Sequence, residues 1–114
     1  MRERTELLKG ILEGCVLETI GARPAHGYEI LRSLRAAGFS DVAEGTVYAM
    51  LLRLEKNGLA LARAEKTHVG PQRRIFTLTE KGAAARETFW RNWERLQEDV
   101  NRIRKGEEND GKPC

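Results

Sequence analysis

Thr46, Ala49, Arg53 and Lys56 recur at three- and four-residue steps, the spacing that gathers side chains onto one face of a helix. A hydroxyl, a methyl and two cations are the types that reach phosphates and base edges in a DNA groove. They are equally the types that face water on an ordinary surface helix, and this stretch alone does not choose between the two. A second cluster surrounds Gly70-Pro71, a turn signal flanked by Lys66 on one side and by Arg73 and Arg74 on the other. A two-stranded ribbon with such a basic tip, set beside a probing helix, places cations along a nucleic-acid backbone or in a minor groove.

Covalent chemistry has no comparable support. The chain offers no nucleophile beside a base, no paired carboxylates and no phosphate-cradling loop, so enzymatic activity is not expected. His26 and His68 stand apart, without the Cys/His or carboxylate spacing of a tetrahedral site. Neither a metal nor another cofactor is implied. Cys15 lies on the apolar face of the first helix and reads as core packing, whereas Cys114 is the last residue. Two such cysteines are no disulfide framework.

The 114 residues are 40% hydrophobic and 32% charged, with a net charge of +3. That describes about one folded domain, small enough that a second subunit would add usefully to its buried area. Residues 1–44 carry six basic and seven acidic side chains, residues 45–78 six and two, and residues 79–114 eight and eight. The surplus therefore falls on the central helix and the segment behind it, the uneven footprint expected where one face meets phosphates. No apolar run approaches the roughly 18 residues that a membrane-spanning helix requires, and Met1-Arg2-Glu3-Arg4-Thr5-Glu6 lacks a signal peptide's apolar region. No membrane partner and a cytoplasmic location are expected.

Leu7, Leu8, Ile11, Leu12, Cys15, Val16, Thr19 and Ile20 repeat as adjacent pairs every four residues, predicting a first helix over about 5–20. Gly10 and Gly14 each cost it about 1 kcal/mol relative to Ala, so it must draw on tertiary packing, and its small residues admit a close neighbour. Pro24 breaks the chain. A second helix is predicted from about Ala25 or His26 to Ala37, turning Tyr28, Ile30, Leu31 and Leu34 inward and Arg32 and Arg35 outward to solvent or phosphates. Asp41 and Glu44 stand at capping-box spacing before the third helix. There Val47, Leu51 and Leu54, with Met50 and Leu52 alongside, form a stripe that must be buried, and Gly58 stands where a left-handed stop is wanted. Leu59–Lys66 and Arg73–Leu78 then read as the two strands of a hairpin.

Thr79 can cap a further helix, along which Phe89, Trp93, Leu96, Val100 and Ile103 step by four, three, four and three. That is a heptad seam. It either folds back on its own domain or pairs with a second copy; pairing is favoured, with the partner's first helix also involved. The polar stretch 106–114 reads as a disordered tail. The expected organisation is a winged-helix DNA-binding domain over 1–78, a C-terminal dimerisation helix over 79–105, and that tail. The fold class is mainly α with a small antiparallel β-hairpin.

Four pieces allow a family resemblance: Leu7-Leu8-Lys9-Gly10-Ile11-Leu12; His26-Gly27-Tyr28-Glu29-Ile30; Gly45-Thr46-Val47-Tyr48 leading to Leu52-Arg53-Leu54-Glu55 and Gly58-Leu59; and Arg73-Arg74-Ile75-Phe76-Thr77-Leu78-Thr79-Glu80-Lys81-Gly82. In order and spacing they resemble the PadR family of winged helix-turn-helix bacterial transcriptional regulators, in its small form with one C-terminal helix. Ala49 departs from the family's usual Pro, although both residues suit the first turn of a helix. The resemblance implies a homodimeric repressor of promoters whose partner is double-stranded operator DNA, with the third helix in the major groove and the wing on flanking backbone or minor groove. Carried over by position, Thr46, Tyr48, Ala49 and Arg53 are recognition-helix candidates, and Lys66, Gln72, Arg73 and Arg74 wing candidates. Tyr48 fits equally as an aromatic capping the core stripe.

The resemblance also bears on Trp90 and Trp93. Multidrug-binding relatives stack flat aromatic or cationic ligands between tryptophans at the dimer centre, and Trp93 matches that position best. Other members bind phenolic acids, for which Arg91 or Arg95 could supply a cation. Plain packing of two large aromatics at an interface accounts for the same residues. The expected function is a sequence-specific DNA-binding repressor, with a small-molecule effector as a secondary claim. The competing reading is a winged-helix module whose basic face docks an acidic protein.

Overall fold

The computed structural model describes residues 10–65 and 73–106. Helix α1 (Leu12–Ala22), strand β1 (Ala25–His26), helices α2 (Gly27–Ala36) and α3 (Glu44–Lys56), strands β2 (Ala60–Glu65) and β3 (Arg73–Leu78), and helix α4 (Glu80–Lys105) follow in order. The sheet is antiparallel, with β3 between β1 and β2. This is the winged-helix arrangement with one long C-terminal helix, mainly helical as the sequence predicts.

The core lies where α1, α2 and α3 close over the inner face of the sheet. Val16, Ile30, Leu31, Val47, Leu51 and Leu54 are its largest fully buried side chains, and Phe76 is the buried residue of β3. Helix α1 has no side-chain cap and two internal glycines, Gly14 and Gly21, so packing must hold it. Gly14 is what lets α4 come near, since a Cβ there would fall within the ring of Phe89. Gly10 has nothing within 4 Å and makes no such contribution. Across the same seam, Trp90 Nε1 donates to Glu18 Oε1 at 2.8 Å and Arg86 Nε lies 3.8 Å from that oxygen.

Several expectations need correction. Ala25–His26 is a strand, not the start of the second helix; Ala25 pairs with Phe76 and His26 with Ile75. Pro24 favours extended backbone before it, and Arg23 is extended at φ −171° and ψ 156°. A two-residue strand carries no periodicity to read. Tyr28 is 53% exposed rather than inward, and Leu52, 57% exposed, lies off the core stripe of α3. Asp41 and Glu44 form no capping box, because Ala43 is the N-cap of α3 and supplies no side-chain bond. The box belongs to α2 instead: the His26 ring accepts from Glu29 N, and His26 N donates to Glu29 Oε1 at 3.1 Å. The first helix ends at Ala22, and its predicted start lies outside the described residues, as do all residues of the predicted tail over 106–114 except Gly106.

Two junctions fix how the elements meet. Arg35 donates to Val42 O through Nε at 3.3 Å and Nη2 at 3.0 Å, so it clamps the turn between α2 and α3 and is spent on the protein. Gly58, at φ +78°, ends α3, with Leu59 N donating to Leu54 O at 2.9 Å. Thr79 then ties the start of α4 to this stop: its hydroxyl donates to Gly58 O at 2.7 Å and accepts from Gly82 N at 2.9 Å. Gly82 is the buried residue of α4, and Gly106, left-handed at φ +69°, closes that helix.

Candidate nucleic-acid interface

Helix α3 presents three faces. Val47, Met50, Leu51 and Leu54 are buried. Thr46, Ala49, Arg53 and Lys56 are exposed together on a second face, as their spacing predicts. Tyr48, Leu52 and Glu55 form a third stripe turned toward the wing, which a two-way division into core and probe does not reveal.

That third stripe borders an open cleft of about 460 Å³. Tyr48 and Leu52 line it from α3, His26 and Tyr28 from β1 and the start of α2, and Arg73, Arg74 and Phe76 from β3. Tyr48 is 41% exposed, with its ring edge against Gly27, where a Cβ would collide with it. The Tyr48 ring can lie this close to the start of α2 because Gly27 has no Cβ. The cleft joins apolar floor to cationic rim, a combination suited to sugar, base methyl and phosphate alike.

The two arginines at the wing root are adjacent in sequence but differ in their partners. Successive residues of a strand point to opposite sides, so Arg74 shares a side with Phe76 and Leu78 whereas Arg73 does not. Arg74 Nη2 lies 2.8 Å from Glu55 Oε2, and its guanidinium sits 5.6 Å from the centroid of Phe76. Arg73 Nη1 lies 3.2 Å from His26 Nε2. A neutral imidazole has one acceptor nitrogen; when Nδ1 caps α2, Nε2 carries the proton and cannot accept from Arg73. Arg73 is thus the less firmly held of the pair. Lys66, Gln72 and the Gly70-Pro71 turn lie outside the described residues.

Further off, Arg32 lies 5.9 Å from the Tyr28 ring centroid, on the exposed side of α2. Along α4, Phe89 and Trp90 pack edge to face at 4.8 Å within the α1–α4 seam. Trp93 is half-buried, and beyond it Leu96, Val100 and Ile103 are 52%, 52% and 74% exposed. Of the seam residues, Phe89 packs against Gly14 of α1, whereas Leu96, Val100 and Ile103 face solvent. Cys15 is half-buried, and burial raises its thiol pKa above the ordinary 9.0. Among the described residues no group of His, Cys, Asp and Glu is placed to hold a metal, and no helix is long and apolar enough to cross a membrane.

Sequence reasoning missed His26, Tyr28, Leu52 and Glu55 as parts of this face. His26 and Glu29 at i and i+3 are a capping-box spacing with His in the usual Ser/Thr place, a signal that was available. Leu52 was not recoverable from hydrophobicity, since an apolar residue beside an apolar stripe reads as core.

The model of the transcriptional regulator PadR-like family matches residues 16–88. The crystal structure of a Streptococcus transcriptional regulator is 41% identical, covering 86% of this chain and 96% of that one with a TM-score of 0.78. A PadR-like transcriptional regulator from Bacillus cereus is 36% identical over 86% of this chain and 95% of its own, with a TM-score of 0.77. PadR of Bacillus subtilis, solved in complex with operator DNA, shares the fold at 18% identity and a TM-score of 0.65, over 73% of this chain and 48% of that one. These relatives are regulators rather than enzymes. The matched residues run from α1 through the sheet into the first turns of α4, and the chain belongs to the PadR-like family of transcriptional regulators.

Proposed function

We propose that this regulator is a homodimer that binds operator DNA sequence-specifically and represses transcription, with α3 as the reading helix and the β2–β3 wing on flanking backbone. The observation that carries the proposal is the exposed set Thr46, Ala49, Arg53 and Lys56 on a helix whose opposite face is wholly buried. A helix held so firmly from behind can enter a groove without losing its own packing. Tyr48, from the cleft side, and Arg73, at the wing root, extend the contact, with Lys66 and Gln72 the remaining wing candidates; Arg74, paired with Glu55, is set apart from them. The operator complex of Bacillus subtilis PadR supports the same use of a shared fold.

Dimerisation through Phe89, Trp93, Leu96, Val100 and Ile103 is supported by the exposure of the last three, an apolar row that a lone chain leaves in water. A planar aromatic, phenolic or cationic effector stacking on Trp93 and Trp90 near the dimer centre would shift the spacing of the two reading helices and release DNA. Trp93 is the better placed of the two, because Trp90 is engaged with Glu18. Two such helices fit successive major grooves only about 34 to 36 Å apart, so a modest rotation suffices.

Selection of bound sequences from a random duplex pool tests the proposal. An inverted repeat with half-site centres about one helical turn apart is expected. In the recovered site Arg53→Ala should weaken binding by about 1–3 kcal/mol if it reads a base, with the dimer intact. An unenriched pool would overturn sequence-specific reading and favour a protein-docking module.

A further inference from the structure

We propose that Glu55 withholds Arg74 from DNA, so that one of the two wing-root arginines serves as a strut between wing and reading helix and not as a phosphate contact. The inference rests on the DNA-binding reading above and deepens it. Arg74 is held from two sides, by the Glu55 carboxylate at 2.8 Å and by the Phe76 ring, and the strand's alternation turns it inward toward α3. Glu55 belongs to the wing-facing stripe of α3, a residue away from the probing face at Lys56. An exposed ion pair of this kind adds little to stability. Its consequence is electrostatic: an acid beside the phosphate-facing surface cancels a cation that would otherwise condense on DNA and release a counterion. Non-specific affinity, which is set by such releases, is thereby held down, while the base-reading face is untouched. Glu55 is in this sense a specificity-determining residue that never meets a base.

The test measures affinity of the full chain for a non-operator duplex across salt concentrations. Each phosphate contact contributes about 0.9 to the slope of log affinity against log salt. Glu55→Gln should therefore steepen the slope by about 0.9, equivalent to a mutant-to-wild-type affinity ratio that grows about 3.5-fold as salt falls from about 200 to about 50 mM. Glu55→Ala should do the same, and either folded variant decides the question. Arg74→Gln in the wild-type background should leave the slope unchanged. In the Glu55→Gln background it should abolish the gain, because the gain is Arg74's own contact and not mere relief of repulsion between Glu55 and DNA. An unchanged slope in Glu55→Gln, a gain that survives Arg74→Gln, or a slope lowered by Arg74→Gln alone each overturns the proposal. A wild-type chain with no salt-dependent DNA binding would instead remove the reading beneath it, and the proposal with it.

Discussion

Gly82→Ala is the substitution whose cost the structure defines most sharply. A Cβ at this position would collide with the carbonyl oxygen of Leu59 and stand 2.9 Å from Leu78 Cδ2. The obstacle is backbone, so no rotamer change relieves it, and the start of α4 would have to retreat by roughly an ångström. The same Leu59 carbonyl accepts from Thr79 N at 3.2 Å, and Thr79 in turn holds Gly58 O at 2.7 Å. Retreat therefore strains the junction of α3, β2 and α4 together. Overpacking costs about 1–3 kcal/mol, and a weakened hydrogen bond about 1 kcal/mol more. The gain in helix propensity from Gly to Ala returns about 1 kcal/mol. The net destabilisation is about 1–3 kcal/mol, or a melting temperature lower by roughly 5–15 °C for a domain of this size. Gly45→Ala is the matched control, since a methyl added there would meet nothing within 4 Å; its melting temperature should hold or rise slightly. Circular dichroism melts at fixed protein concentration make the comparison. A Gly82→Ala protein melting at or above the wild-type temperature would refute the claim that backbone contact dictates this glycine.

Three further outcomes are expected. His26→Ala removes the cap of α2 and should lower stability by about 1 kcal/mol in denaturant titration, whereas His26→Asn should retain most of it; equal losses would place the effect outside the cap. Cys15 has a raised thiol pKa through burial, so its folded form holds the proton more tightly than its unfolded form. Its contribution is complete below the ordinary value of 9.0 and is lost as pH rises above it; wild type should lose stability against Cys15→Ala only in that alkaline range, and parallel curves throughout would contradict the assignment. Trp93→Asp combined with Leu96→Asp should yield a monomer in sedimentation equilibrium, and a persisting dimer would move the interface away from α4.

The exposed face of α3 was legible because 3.6-residue periodicity is local: Thr46, Ala49, Arg53 and Lys56 align whatever the rest of the chain does. The helix ends were legible for the same reason, since the stop at Gly58 is fixed by its backbone conformation and the start at Thr79 by a bond reaching three residues along. The long C-terminal helix could be read from its heptad row. What the sequence could not fix was which neighbour each remaining side chain would meet. Tyr28 and Leu52 are apolar enough to be buried, yet they face a cleft whose opposite wall is Arg73, Arg74 and Phe76 of β3. Arg73 and Arg74 are adjacent and identical in kind. Their separation into a loosely held cation and a paired one depends on strand alternation combined with the distance from β3 to Glu55, nineteen residues earlier. Such a pairing has no local signature, because it is set by how the wing packs on the helix.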